Sequence, residues 1–313
     1  LELKYLTIFF SIIISLLFLE IFSRIFIDNG MNYEIEMLKY ARELKIISNN
    51  KQVGIEHKKN ISTTLMGAEI FLDNDGFRGQ NKPRENKKKI LMLGDSMTFG
   101  WGAKKTFTEI LNDKIDKYEV LNGGIGNTNT KMQIANFFEN FSSKYQYKAI
   151  VLNFFINDFE DVKIRKPNFF QKYSFLYTFL SNKFSTIFIK LNLKKDWTNF
   201  YSENYSDSEM KKETFIQIKR LNDFCLKNEI RFIIHNIPEL RNLKDYRFNK
   251  ETNIIKDFAN KNDIYFLDSI IVLKNYNEKD LWVTKLDPHA NDNAHKIIAN
   301  FLLNELNSSL DMN

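Results

Sequence analysis

The stretch Lys89-Ile90-Leu91-Met92-Leu93-Gly94-Asp95-Ser96 constrains the fold more than any other part of the chain. Four consecutive apolar residues have no polar face to turn to water. They read as a strand buried on both sides, the pattern of a parallel sheet covered by helices. Gly94 allows a sharp exit, which puts Ser96 between the carboxyl end of this strand and the amino end of the next helix. Open α/β sheets place their ligands at that edge, where free backbone N–H groups favour developing negative charge. The Ser96 hydroxyl is therefore a candidate nucleophile, although Asp95 and Ser96 taken alone read as helix caps.

The same logic extends along the chain. Short apolar runs at 119–121, 149–155, 231–236 and 264–267 read as further strands. Helical periodicity occupies 207–227, 250–261 and 291–306. Strands alternating with helices predict an α/β fold with a parallel sheet of about five strands covered on both faces. Ahead of the sheet, residues 29–48 read as one helix, and residues 64–72 with Asn74-Asp75-Gly76 behind them as a strand and turn. Residues 79–89 read as a solvated linker. Residues 160–206, rich in Phe, Tyr and Lys, exceed an ordinary connection. They are read as a helical insertion beside the active edge: a lid, a membrane-contacting surface or extra packing.

The amino terminus carries a second strong signal. Residues 5–19 hold no charge, and the apolar pattern continues to Ile27, long enough for a helix to span a bilayer. Glu20 and Arg24 interrupt it at a spacing that lets them pair. No small-x-small cleavage signal follows, so a retained single-pass anchor is expected in place of a removed signal peptide. The expected arrangement is a short stub inside and the large domain outside the cytoplasm. This divides the chain into an anchor over 1–28, a helix, strand-turn and linker over 29–85, and a main domain over 86–313.

With 313 residues, 43% of them hydrophobic, the chain can bury one sizeable core and something smaller. The net charge of +6 is spread over lysine clusters separated by acidic residues, so no nucleic-acid partner is expected. The single cysteine, Cys225, allows no intrachain disulfide and lies in an amphipathic helical pattern, as a buried inert thiol would. There is no GxxxxGK[ST] loop, paired CxxC, HExxH or GxSxG motif. His57, His235, His289 and His295 lack the spacing of metal ligands, so no metal is expected. His235 and His295 read as structural.

Three further segments place polar groups at the active edge. Asn122-Gly123-Gly124-Ile125-Gly126-Asn127-Thr128 is a glycine-rich loop able to point backbone N–H groups at an anion. Phe154-Phe155-Ile156-Asn157-Asp158 ends the third strand, and its asparagine amide can donate to an oxyanion. Asp158 reads as a cap outside the chemistry. Leu286-Asp287-Pro288-His289-Ala290-Asn291 precedes the last helix.

In this order the four blocks resemble the SGNH (GDSL-type) hydrolase superfamily. Leu65-Met66-Gly67, Asp75-Gly76-Phe77-Arg78, the 94–102 run GDSMTFGWG, the 126–130 run GNTNT, Pro238-Glu239-Leu240 and Leu281-Trp282-Val283 resemble a bacterial, membrane-anchored branch of it. The likeness covers about residues 30–305. It implies a flavodoxin-like three-layer sandwich and a serine esterase mechanism without cofactor or metal. In that mechanism Ser96 attacks an ester carbonyl, His289 acts as base and then acid, and Asp287 orients the imidazole. The implied oxyanion donors are the Ser96 N–H, a backbone N–H at Gly126 or Asn127, and the Asn157 side chain. Phe155 stands where such chains usually carry glycine, which narrows the pocket or moves its wall. The acid stands two residues before the histidine in place of the commoner three. The expected substrate is an O-acyl ester on a cell-surface glycan or lipid. The same serine would also serve an O-acyltransferase for a surface polysaccharide, and a non-catalytic surface-assembly protein could share the fold. No sequence feature speaks to the oligomeric state.

Overall fold

The structure, a computed structural model, describes residues 2–79, 86–164, 166–190, 197–206 and 209–310. Helix α1 (Glu2–Phe22) continues as a π-turn over Ser23–Ile27. The stretch Leu3–Ile27 contains an 18-residue window with a mean hydropathy of 2.3 and is almost wholly exposed. Its 25 residues would extend roughly 37 Å as a helix, more than the hydrocarbon core of a bilayer.

Helix α2 (Tyr33–Glu43) starts at Asn32, whose side chain accepts the Ile35 N–H. It is shorter than the helix the sequence suggests over 29–48. The β-branched pair Ile46-Ile47 leaves it to form β1 (Lys45–Ile47), laddered antiparallel against β2 (Ile55–His57). The single strand read over 64–72 is also revised. Strands β3 (Ile61–Leu65) and β4 (Ala68–Leu72) form a hairpin turning at Met66-Gly67, with φ of 49° and 68°. Two positive φ values make the primed turn whose twist suits a hairpin.

The main sheet follows. Strand β5 (Lys89–Gly94) leads into α3 (Ser96–Phe99) and α4 (Phe107–Lys114). Strand β6 (Glu119–Gly124), helix α5 (Thr130–Asn136) and strand β7 (Tyr147–Phe154) come next. The insertion contributes α6 (Phe169–Tyr173), α7 (Phe175–Lys190) and α8 (Trp197–Asn204). The chain then returns through α9 (Glu209–Lys227), β8 (Arg231–Asn236), α10 (Asn249–Lys261) and β9 (Tyr265–Asp268). It closes with α11 (Ile270–Leu273) and α12 (Asp292–Ser309).

All five strands are parallel, in the order β6-β5-β7-β8-β9. Helices α5, α9 and α10 cover one face through Ile134, Leu221 and Ile255, and Cys225 is buried there. Helices α4 and α12 cover the other through Phe107, Leu111, Ile298 and Leu302. The result is a three-layer α/β sandwich with flavodoxin-like strand order. Its topological switch lies between β5 and β7, where ligands bind in such sheets. The linker read over 79–89 is only partly described, because residues 80–85 lie outside the described residues, and Lys89 already belongs to β5. Lys89 forms a buried ion pair with Glu119 at the start of β6.

The segment before the sheet does not stand apart from it. Tyr40, Leu44, Leu65, Ile70 and Leu72 share one buried cluster with Phe99 and Trp101, just beyond Ser96. The insertion packs on that segment too, with Phe175 buried against Ile35 and Leu38 of α2, and it is also tied to α1. Glu20 accepts from Ser174 Oγ at 2.8 Å and from the N–H groups of Phe175 and Leu176, capping α7. Arg24 pairs with Glu20 at 2.9 Å and donates to the Tyr173 carbonyl.

Candidate active site

Strand β5 ends at Gly94, packed so closely on the next turn that a Cβ there would lie 2.1 Å from Thr98 Oγ1. Asp95 caps α3 by accepting the Met97 N–H at 2.9 Å, and Ser96 is the first helical residue. The cap reading of Asp95 therefore holds, while the Ser96 side chain points elsewhere. Its hydroxyl lies 3.0 Å from His289 Nε2.

His289 is held by the loop before α12. Asp287 Oδ1 accepts from His289 Nδ1 at 2.5 Å and from the His289 N–H at 3.1 Å. A carboxylate only accepts, so Nδ1 carries the ring proton, Nε2 is left as the acceptor, and the Ser96 O–H donates to it. Asp287 Oδ2 accepts the Trp101 indole N–H at 2.9 Å. Burial alone would raise the Asp287 carboxyl, but the donors from His289 and Trp101 outweigh it and hold the group below the usual range. An ionised Asp287 in turn keeps the imidazole in the tautomer that faces Ser96. The shorter Asp-x-His spacing thus still delivers both contacts.

Asn157 sits on the turn that leaves β7. Asp158 builds this turn by accepting the Phe155 N–H at 2.7 Å and Gln133 Nε2 at 3.0 Å. Burial, then the nearby Asp95 charge, push the Asp158 carboxyl well above its ordinary value. Asn157, Ser96 and Asn127 line one cleft of about 290 Å³ together with His289, Asp287, Met97 and Phe155. Tyr33 and Tyr201 form its walls, and Tyr33 stacks on the His289 ring at 6.1 Å. Glu160, also in the wall, is pushed up to about 7 by burial and by Asp95.

The glycine-rich loop divides its duties. The Gly126 N–H is already committed to Tyr40 Oη at 2.9 Å, and Gly126 does not line the cleft. Asn127 does, in the left-handed region at φ 60°, and its N–H has no partner among the described residues. Of the two loop positions read as possible donors, only Asn127 has a free N–H.

Sequence reasoning missed the residues that brace this arrangement. Buried Arg78 donates to the carbonyls of Phe99, Gly100 and Ala103, stiffening the loop that carries Trp101. Tyr40 and Lys45 reach the glycine-rich loop at Gly126, and His57 backs the Tyr40 hydroxyl. His235 bonds Asn153 at 2.7 Å and Ser269 at 2.5 Å inside the core, as a structural histidine would. His295 accepts the Phe107 N–H at 3.0 Å and is fully buried. Among the described residues no group of three or more His, Cys, Asp or Glu side chains could hold a metal ion.

No protein-family model and no curated protein matches the chain. Among solved structures, it is similar to an acetylxylan esterase from Geobacillus stearothermophilus at 15% identity, covering 70% of this chain and 94% of that one with a TM-score of 0.47. A family two carbohydrate esterase from Clostridium thermocellum, in complex with cellohexaose, is similar at 13% identity, over 75% of this chain and 67% of that one, with a TM-score of 0.46. A putative acylhydrolase from Bacteroides fragilis is similar at 18% identity, over 74% and 91%, with a TM-score of 0.44.

Proposed function

We propose that this chain is a membrane-anchored serine esterase of the SGNH type that cleaves an O-acyl ester on a surface glycan or lipid. The observation that carries the reading is the unbroken chain Ser96 Oγ, His289 Nε2, His289 Nδ1 and Asp287 Oδ1, with contacts of 3.0 and 2.5 Å, opening into a cleft shared with Asn127 and Asn157. In this reading Ser96 Oγ attacks the ester carbonyl carbon as its proton passes to His289 Nε2. The oxyanion accepts from the N–H groups of Ser96 and Asn127 and from the Asn157 amide; each such donor is worth about 3 kcal/mol in comparable sites. Collapse expels the alcohol, which takes the proton from Nε2. Water, deprotonated by His289, then attacks the acyl-Ser96 ester and releases the carboxylic acid.

The membrane part of the reading rests on α1 and its surroundings. Tyr177, Leu180, Phe184 and Ile187 of α7 are exposed at spacings of three and four, one apolar stripe on a helix held beside α1 by Glu20 and Arg24. Tyr33, in the cleft wall, follows Ile27 by six residues, a reach of about 20 Å at most. A substrate close to the membrane surface suits that tether. We place the cleft outside the cytoplasm.

The test is fluorophosphonate labelling of the full-length protein in detergent, followed by peptide mapping. Label on Ser96, absent in Ser96→Ala while the melting curve is unchanged, supports the reading, and label that persists in that variant overturns it. Product analysis with an added glycan separates hydrolysis, which yields free acid, from acyl transfer, which yields acylated sugar. Protease protection in sealed vesicles tests the side on which the cleft lies.

A further inference from the structure

Gly126 is gripped at both of its polar atoms by residues that precede the sheet. Its N–H donates to Tyr40 Oη at 2.9 Å, and its carbonyl accepts from Lys45 Nζ at 2.6 Å. Tyr40 comes from α2 and Lys45 from β1, and the ammonium also lies 3.9 Å from the centre of the Tyr40 ring. Tyr40 Oη is 2.8 Å from His57 Nε2, and His57 Nδ1 is 3.0 Å from the Gly76 carbonyl. A carbonyl only accepts, so Nδ1 carries the ring proton, Nε2 accepts the Tyr40 O–H, and the Tyr40 oxygen is free to accept from Gly126. Every proton in this relay has one possible direction. The contact is close enough that a Cβ on Gly126 would lie 2.9 Å from the Tyr40 ring.

The Gly126 carbonyl and the Asn127 N–H are the two ends of a single peptide group. A cation on the carbonyl oxygen draws electron density through the amide, makes the N–H a stronger donor and fixes its direction, most of all in a buried, weakly screened setting. Lys45 is buried, and no carboxylate pairs with it among the described residues. Its surroundings are Tyr40 from α2, the Gly126 carbonyl and the His57 ring from β2, which burial and then the Lys45 charge hold near 3 and so neutral. Stability does not account for a buried ammonium without a counter-ion, since that arrangement is costly.

We propose that Lys45 is a positioning residue for the oxyanion site, holding and polarising the Gly126–Asn127 peptide so that the Asn127 N–H is presented to the tetrahedral intermediate. This assignment rests on the esterase reading above. Burial lowers the Lys45 ammonium to about 7, so its charge is withdrawn as pH rises through neutrality.

The test compares wild type, Lys45→Met, Lys45→Arg and Ser96→Ala, each full-length in detergent, by p-nitrophenyl acetate kinetics from pH 5.5 to 9. Wild-type kcat is expected to decline on the alkaline side of about pH 7. Lys45→Met, which keeps length but no charge, is expected to lose roughly ten- to a hundredfold in kcat at pH 6 with KM little changed, and to lose the alkaline decline. Lys45→Arg, whose guanidinium stays charged, is expected to hold its kcat to pH 9. Wild-type kcat and pH profile in Lys45→Met overturn the assignment. Should that variant fail to fold, an alkaline limb unmoved in Lys45→Arg overturns it equally. A wild-type protein inert to both ester and fluorophosphonate marks failure of the esterase reading itself, and the role of Lys45 falls with it.

Discussion

The Trp101 indole N–H reaches the Asp287 carboxylate at 2.9 Å, so the loop just beyond the candidate nucleophile also holds the acid that orients its base. Trp101 follows Ser96 by five residues, just past the left-handed Gly100, and its backbone N–H bonds back to the Ser96 carbonyl at 3.1 Å. Asp287 lies 186 residues further on. Nucleophile and acid are thereby fixed to each other independently of the histidine between them.

Trp101→Phe tests that link. The variant leaves a buried carboxylate oxygen without its donor, a loss of about 1–3 kcal/mol, or roughly ten- to a hundredfold in kcat. The direction of the pH effect follows from Asp287 being held low by its donors. A carboxyl depressed in the fold supports the structure above its unfolded pKa, and that support is lost as pH falls through the folded value. With the indole gone the folded value rises, so the acid limb of the stability profile, read as melting temperature against pH, moves to higher pH. A limb that does not move shows the bond to be irrelevant to the site.

Asp287→Asn removes the charge and permits the other imidazole tautomer. A fall in kcat on the order of 10⁴ is expected, with the far-ultraviolet circular dichroism unchanged. A fall of less than about tenfold would mean that His289 is oriented by something else.

Phe155 tests the size of the acyl site. It lines the cleft beside Ser96 and packs against both core clusters. Phe155→Ala is expected to raise kcat/KM for p-nitrophenyl butyrate relative to the acetate by about tenfold, the scale of an added methylene or two in an apolar pocket. An unchanged ratio places the acyl chain on another wall.

Gly126→Ala and Tyr40→Phe separate space from hydrogen bonding in the loop. The added methyl would meet the Tyr40 ring at 2.9 Å and Ser96 Cβ at 3.4 Å, so the loop must move and esterase activity is expected to drop. Tyr40→Phe strands the Gly126 N–H and His57 Nε2, a cost of about 1–3 kcal/mol for each group left unpaired, read as a lower midpoint in urea. A midpoint equal to wild type would show that water replaces the hydroxyl.

Much of the site was legible along the chain because its residues obey local rules. Leu91 and Met92 in a buried strand, Gly94 at its exit and Asp95 as cap together define where Ser96 stands. Asn157 follows a strand end, and Asp287 lies two residues before His289, so their contact is local as well. The shortened α2 and the hairpin at Met66-Gly67 were harder to read. Short elements carry too few residues for a period to show, and Ile46-Ile47 becomes a strand only because residues 55 and 56 lie alongside.

The amino-acid sequence by itself determined the five strands of the parallel sheet, the apolar amino-terminal helix and the polar blocks that face the sheet's active edge, since each follows from hydrophobic period, turn chemistry or composition within a few residues. Tertiary structure alone decided that Ser96 and His289 meet across 193 positions, that Trp101 holds Asp287, and that Tyr40 and Lys45 grip Gly126 from 86 and 81 residues away. Such contacts leave no period or spacing behind. They exist because helices on both faces bury the sheet and force distant loops onto one edge, where most buried polar atoms find a partner.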